Sequence, residues 1–190
     1  MRIISGKAGG RRLKTPDAKG TRPATDRVRE AVFSSLGAAV EGAMVADLYA
    51  GSGSYGLESL SRGAQSAVFV ENGRKALQSL RENLKTVGLG GSVIEASVAH
   101  YLQRANHRFH LVFMDPPWPQ PTEQMEEELA RLDRLLVPGA VVVVSRRHDD
   151  RAPEPPENWR VAADKRYGDT RIIRYEKIED DDDGTVPGEL

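Results

Sequence analysis

From residue 43 onward, short continuous apolar runs alternate with segments in which apolar residues recur every three or four positions. The runs predict a buried strand over Met44–Leu48 and further strands over 67–70, Ser92–Glu95 and Phe109–Met114, and the most apolar run predicts another over 140–145 after a Pro138-Gly139 turn. The helical spacing predicts a short helix over 57–62 closed by Gly63. It also predicts an amphipathic helix over 73–87, with Leu77, Leu80, Leu84 and Val87 on one stripe and Gly88 as its stop. A Glu- and Leu-rich helix is expected over roughly 122–136. Strands over 159–162 and 171–175 close the pattern. Upstream, Asp26 reads as the N-cap of a helix carrying Val28, Ala31, Val32 and Leu36 on one face and ending at Gly37.

Strands that alternate with helices imply a mostly parallel sheet covered on both faces, the doubly wound, Rossmann-like α/β class, with antiparallel edge strands from the strand-rich end. Residues 23–177 are read as that domain. Residues 1–22, rich in glycine and proline, suggest a small β-hairpin or extended arm turning at Gly9-Gly10. Residues 178–190, IEDDDDGTVPGEL, hold too few apolar residues to fold and are expected to be disordered.

Composition narrows the chemistry. A chain of 190 residues can bury a full core, and the absence of cysteine excludes disulfides, thiolate zinc sites and a cysteine nucleophile. It also fits a reducing cytosol. No signal-like or membrane-spanning run is present, so a cytoplasmic, monomeric protein with no membrane partner is expected. The four histidines form no ligand pattern with acids, so no metal is expected.

The net charge of −1 conceals an asymmetry. Residues 1–30 carry nine basic residues (Arg2, Lys7, Arg11, Arg12, Lys14, Lys19, Arg22, Arg27 and Arg29) against three acids. Residues 176–190 carry seven acids against Lys177. A basic arm facing a polyanion is one reading of the first segment, and a merely solvated basic end is the other.

Two motifs carry the chemistry. Asp47-Leu-Tyr-Ala-Gly-Ser-Gly-Ser-Tyr-Gly56 follows a strand and opens a helix. Gly51, Gly53 and Gly56 match G-x-G-x-x-G, and Glu71 ends the next strand where a carboxylate can hold two ribose hydroxyls. These features alone suit NAD nearly as well as S-adenosylmethionine. Asp47 shifts the balance, because an acid beside the loop tolerates a sulfonium and an ammonium but repels a pyrophosphate.

The second motif, Asp115-Pro116-Pro117-Trp118, directly follows the Phe109–Met114 run. Two prolines remove backbone donors and stiffen the turn, so acceptors can converge on the hydrogens of an aryl amine while it attacks a methyl group. Trp118 could stack on a base drawn out of its helix. Cytosine C5 methylation ordinarily needs a cysteine nucleophile, which is missing; an exocyclic amine needs none.

These residues resemble the RsmD-type 16S ribosomal RNA guanine-N2 methyltransferases over nearly the whole chain to about Tyr175. The specific blocks are Arg2-Ile-Ile-Ser-Gly-Lys7 and Arg22-Pro-Ala-Thr-Asp-Arg-Val-Arg-Glu30, with Gly10-Arg-Arg-Leu13 and Leu57-Glu-Ser-Leu-Ser-Arg-Gly63 beside the two motifs. The resemblance implies a class I methyltransferase fold with S-adenosyl-L-methionine as cofactor. It implies RNA as partner, as 16S rRNA or a small-subunit assembly particle. By the same resemblance Asp47, Gly51, Gly53 and Glu71 are cofactor contacts, joined by Ala50, Ser52 and Asn72. Asp115, Pro116, Pro117 and Trp118 form the amine-holding turn. The Arg22–Glu30 block becomes a lid with Thr25 and Arg27 near the active site. Arg2, Lys7, Arg11, Arg12, Lys14, Arg22 and Arg27 grip RNA. The chain departs from the family pattern at Ala24, where a threonine is usual, and at Ser97, where an acid often holds the adenine amine. A DNA amino-methyltransferase acting on adenine N6 or cytosine N4 would use the same turn. An NAD(P) oxidoreductase would leave Asp115–Trp118 without a task, and a non-enzymatic RNA-binding module would not need Asp115.

Overall fold

The computed structural model describes residues 1–16 and 24–179. Among the described residues, five α-helices and seven strands follow one another as α1 (Asp26–Leu36), β1 (Met44–Leu48), α2 (Ser54–Ser61), β2 (Ser66–Glu71), α3 (Arg74–Val87), β3 (Ser92–Glu95), α4 (Val98–Arg104), β4 (Phe109–Met114), α5 (Thr122–Leu132), β5 (Leu136–Arg147), β6 (Trp159–Tyr167) and β7 (Thr170–Lys177). The strands lie in one sheet of order β3-β2-β1-β4-β5-β7-β6. Pairing is parallel from β3 through β5 and antiparallel where β7 joins β5 and β6.

The central strands read as continuous apolar runs because both of their faces are covered. Along β1 and β4, Val45, Leu111 and Phe113 point into one core with α1, α2 and α3. Their neighbours Ala46, Leu48, Val112 and Met114 point into a second core with α4 and α5. The chain crosses from β1 to β2 on one side, while β4 lies on the other. The carboxyl ends of β1 and β4 therefore flank a topological switch point, where sheets of this kind open a ligand crevice. This is the doubly wound, mostly parallel α/β fold that the sequence pattern predicts.

Several boundaries differ from the sequence reading. Thr25, not Asp26, caps α1: its backbone is extended and its Oγ1 accepts the Val28 N–H at 3.3 Å. Asp26 then occupies the first turn, where its charge suits the helix dipole. Helix α2 begins at Ser54 rather than at 57, and α5 stops at Leu132 with a single 3-10 turn over Asp133–Leu135. The expected Pro138-Gly139 turn lies inside β5, at a register shift opposite Phe109 and Leu111. Helix α4 was not anticipated, although Val98, Tyr101 and Leu102 have helical spacing behind a serine cap.

The N-terminal arm is a small antiparallel ribbon, with Arg2 bridged to Arg12 and the Ile3 N–H donating to the Arg11 carbonyl at 2.9 Å. The reversal is broader than a Gly9-Gly10 turn: the Gly10 N–H returns to the Ile3 carbonyl, and Gly6 and Gly10 have positive φ. Ile3, Ala8 and Leu13 are buried in the same core as α1. Residues 17–23, including Lys19 and Arg22, lie outside the described residues, as does the acidic stretch 180–190.

Candidate active site

The glycine loop is shaped by what a side chain would strike. Gly53 has φ +84°, and a Cβ there would come within 2.5 Å of Leu80 Cδ1. A Cβ on Gly56 would lie 2.3 Å from Phe69 Cε1, so the third glycine lets α2 pack directly on β2. Just before the loop, Tyr49 has φ +60° and is the one non-glycine residue with positive φ among the described residues. Its hydroxyl lies 2.7 Å from both carboxylate oxygens of buried Glu128, which tethers this turn to α5.

Two carboxylates fix the loop from below. Asp47, near the end of β1, accepts the Gly56 N–H at 2.9 Å. Glu71, ending β2, accepts the Gly51 N–H at 2.7 Å through one oxygen and the Asn72 and Gly73 N–H groups through the other, at 2.9 and 2.7 Å.

Above them opens a cleft of about 860 Å³, whose wall includes Asp47, Glu71, Ser97, Asp115, Tyr55 and Trp118. That volume suits a nucleoside-sized ligand. Burial holds the Asp47 carboxyl well above the usual carboxylate range, and the charges of Asp115 and Glu71 push it the same way against the Gly56 N–H. Burial likewise pushes the Asp115 carboxyl up to about 6, with the Ser145 hydroxyl opposing. Burial that disfavours the charged forms of Asp47 and Asp115 is offset by a ligand that brings positive charge and aggravated by an anion, so the cleft suits a cation and is a poor receptor for a pyrophosphate.

The Asp115-Pro-Pro-Trp turn leaves β4 at the rim of this cleft. Pro116 is buried and Pro117 exposed, and the Pro117 carbonyl accepts the Gln120 N–H at 3.0 Å, which closes the turn. Arg146, buried at the end of β5, donates to the Gln120 carbonyl at 2.8 Å and anchors the far side of the loop. The Arg147 guanidinium lies over the Trp118 ring, 5.1 Å from its centroid. The half-buried indole is thus held on one face by a cation.

Asp47, Ala50, Gly51, Ser52, Glu71, Asn72 and Ser97 all line the cleft together with Asp115, Pro116, Pro117 and Trp118. Ser97 doubles as the N-cap of α4, its Oγ accepting the His100 N–H at 3.2 Å. Gly53 sits behind the loop at the start of α2, and exposed Thr25 is turned to the α1 cap; neither is part of the cleft wall, whereas Ala24 is.

The basic residues divide by what they touch. The Arg11 guanidinium donates to the carbonyls of Thr86 and Val87 at the end of α3. Lys14 pairs with Glu82, and Arg2 stands 3.8 Å from Asp26. Lys7, Arg12 and Arg27 are exposed.

One cluster escaped the sequence reading. Glu58, fully buried in α2, accepts the N–H groups of Ile4 and Ser5 at 2.8 and 3.1 Å and pairs with Arg62 at 2.7 Å. It also faces buried Arg29 at 3.5 Å, and Arg29 donates to the Arg2 carbonyl at 2.6 Å. The arm, α1 and α2 are therefore tied through one charged node. A charged pair inside an apolar helix pattern, at Glu58 and at Arg29, was the only trace of it in the sequence.

A family model described as "Conserved hypothetical protein 95" matches residues 1–176. The chain is 34% identical over 178 residues to Ribosomal RNA small subunit methyltransferase D of Escherichia coli, covering 93% of this chain and 90% of that protein. It is 32% identical over 180 residues to the protein of the same name from Haemophilus influenzae, covering 92% and 91%. The solved structure of Escherichia coli YhhF superposes with a TM-score of 0.85 at 32% identity, over 95% of this chain and 99% of that one.

Proposed function

Since the chain belongs to the Conserved hypothetical protein 95 family, we propose that it transfers a methyl group from S-adenosyl-L-methionine to an exocyclic amine of ribosomal RNA. The amine is N2 of a guanine in the small-subunit RNA, and the protein acts as a cytoplasmic monomer. The observation that carries this reading is the convergence of Asp47, Glu71 and Asp115 on one cleft, with Asp115 leading a Pro-Pro turn. The name shared by the Escherichia coli and Haemophilus influenzae relatives supports ribosomal RNA as the substrate.

The residues fit the cofactor. The acids complement its sulfonium and ammonium, Glu71 stands at the end of β2 to meet ribose hydroxyls, and the wall at Ala96, Ser97 and Val98 suits an adenine ring. Bound there, S-adenosylmethionine supplies an electrophilic methyl group. The chain's own work is positioning. Trp118, backed by Arg147, offers its ring to a flipped base. Asp115 accepts a hydrogen of the amine, which favours the pyramidal nitrogen that attacks. As that nitrogen gains the methyl it becomes positive and sheds a proton. Asp115, ionised above about pH 6, stabilises the charge and is placed to receive the proton.

The acid-lined cleft argues against a dinucleotide. Calorimetry with S-adenosylhomocysteine and with NADH tests this directly: binding of the first alone supports the reading, and binding of NADH alone overturns it.

A further inference from the structure

Tyr55 lies in the first turn of α2 and is 4% exposed, yet it forms part of the cleft wall. Its ring is fixed by stacking on Phe113, with centroids 4.7 Å apart and planes 15° from parallel, and Phe33 flanks it at 6.3 Å. Its hydroxyl is buried and has no hydrogen-bond partner among the described residues. Buried hydroxyls are nearly always paired, so an orphan on a residue that lines a ligand cleft calls for a partner that arrives with the ligand.

The surroundings say what that partner is. Tyr55 feels the charges of Asp115, Asp47 and Arg29. Burial and the nearby acids raise its hydroxyl well above the usual phenol range, so it stays protonated and acts as a donor. The three carboxylates suit the ammonium and sulfonium of an amino-acid-bearing nucleoside but repel the carboxylate that such a ligand also carries. That group needs a neutral donor among acids, and a rigid phenol with an unused O–H supplies one.

We infer that the Tyr55 hydroxyl is a carboxylate subsite, binding the amino-acid end of the nucleoside ligand. The inference rests on the cofactor reading above and adds to it a residue that selects for an intact methionine moiety. In the free protein the hydroxyl is a liability, and in the complex it is an anchor.

The test compares the wild type with Tyr55→Phe, using two ligands and one melting curve. S-adenosylhomocysteine carries the carboxylate; 5′-methylthioadenosine shares the adenosine and thioether but lacks the amino-acid end. The variant is expected to bind S-adenosylhomocysteine on the order of tenfold to a hundredfold more weakly. It should bind 5′-methylthioadenosine as the wild type does, and its free form should melt no lower, because the orphan hydroxyl has been removed. Equal weakening of both ligands would mean a packing defect and overturn the subsite. So would unchanged S-adenosylhomocysteine binding with a raised KM for RNA, since the hydroxyl would then serve the base. A wild type that binds neither ligand would sink the cofactor reading itself, and the subsite with it.

Discussion

The carboxylate of Glu71 reaches from the end of β2 to the backbone N–H of Gly51, 2.7 Å away, and so closes the floor of the cleft before any ligand enters. Its other oxygen holds Asn72 and Gly73, so one side chain sets the course of two loops. A carboxylate that accepts three N–H groups is immobile, as the ribose contact proposed for Glu71 requires.

Replacing Glu71 by alanine should therefore have two effects. Three backbone donors lose their acceptor, costing about 1–3 kcal/mol of stability, and affinity for S-adenosylhomocysteine should fall at least about tenfold. Melting curves and calorimetry on Glu71→Ala check both. Glu71→Gln should recover part of the stability and little of the affinity.

Asp115 predicts a pH dependence. Its carboxyl titrates at about 6, so kcat/KM should fall as the pH drops below 6 and the acceptor is lost. Asp115→Asn should lower turnover on the order of 10²–10⁴-fold and abolish that limb. The raised value also fixes the sign of a stability effect. Between the ordinary carboxylate range and about 6, the folded chain holds this proton more tightly than the unfolded chain does. Ionising Asp115 thus destabilises the fold progressively as the pH rises through that window. Above pH 6, Asp115→Asn should melt higher than the wild type while being nearly inactive.

The Glu58 node predicts a different outcome. Truncation to alanine leaves fully buried Arg29 with Asp26, 2.7 Å away, as its remaining counter-charge, and frees the Ile4 and Ser5 N–H groups. A loss of about 1–3 kcal/mol for each stranded donor is expected by chemical denaturation. The N-terminal arm should then become protease-sensitive before the rest of the chain.

The basic arm separates into charges that hold the fold and charges exposed on its surface. Arg11 caps α3, so Arg11→Ala should cost about 0.3–1 kcal/mol of stability. Lys7 and Arg12 are exposed. Reversing both to glutamate should weaken RNA binding in a way that shrinks at high salt, with melting unchanged. Filter binding across a salt series reads this out.

The parts of the fold legible in the sequence were those governed by local pattern. Met44–Leu48 and Phe109–Met114 were placed to the residue, because a buried parallel strand must be apolar on both faces; the edge strand Ser92–Glu95, with exposed ends, was legible from its Val93-Ile94 pair alone. The cleft acids were legible because glycine spacing and strand ends dictate where they fall. Helix α4 was lost because its apolar residues occupy fewer than two turns, between a weak strand and a strong one. The roles of Arg11, Arg29 and Glu58 could not be read, since each is defined by a partner far away in the chain. A charge that closes a node in the core looks, in sequence, like one that faces solvent. Tyr55 was passed over for the same reason: only the packed structure shows that its hydroxyl is buried without a partner.

Methyl transfer to a guanine amine in RNA, with Asp115 at the reacting nitrogen, is the step on which the proposed function depends. Its most direct test is mass spectrometry of nucleosides after the protein has been incubated with S-adenosylmethionine labelled in the methyl group. Small-subunit ribosomal RNA, naked or in assembly particles, and DNA are supplied in parallel. Label is expected in N2-methylguanosine from the RNA with the wild-type protein and not with Asp115→Ala. Label in a DNA base instead, or full labelling of the RNA by Asp115→Ala, would contradict it.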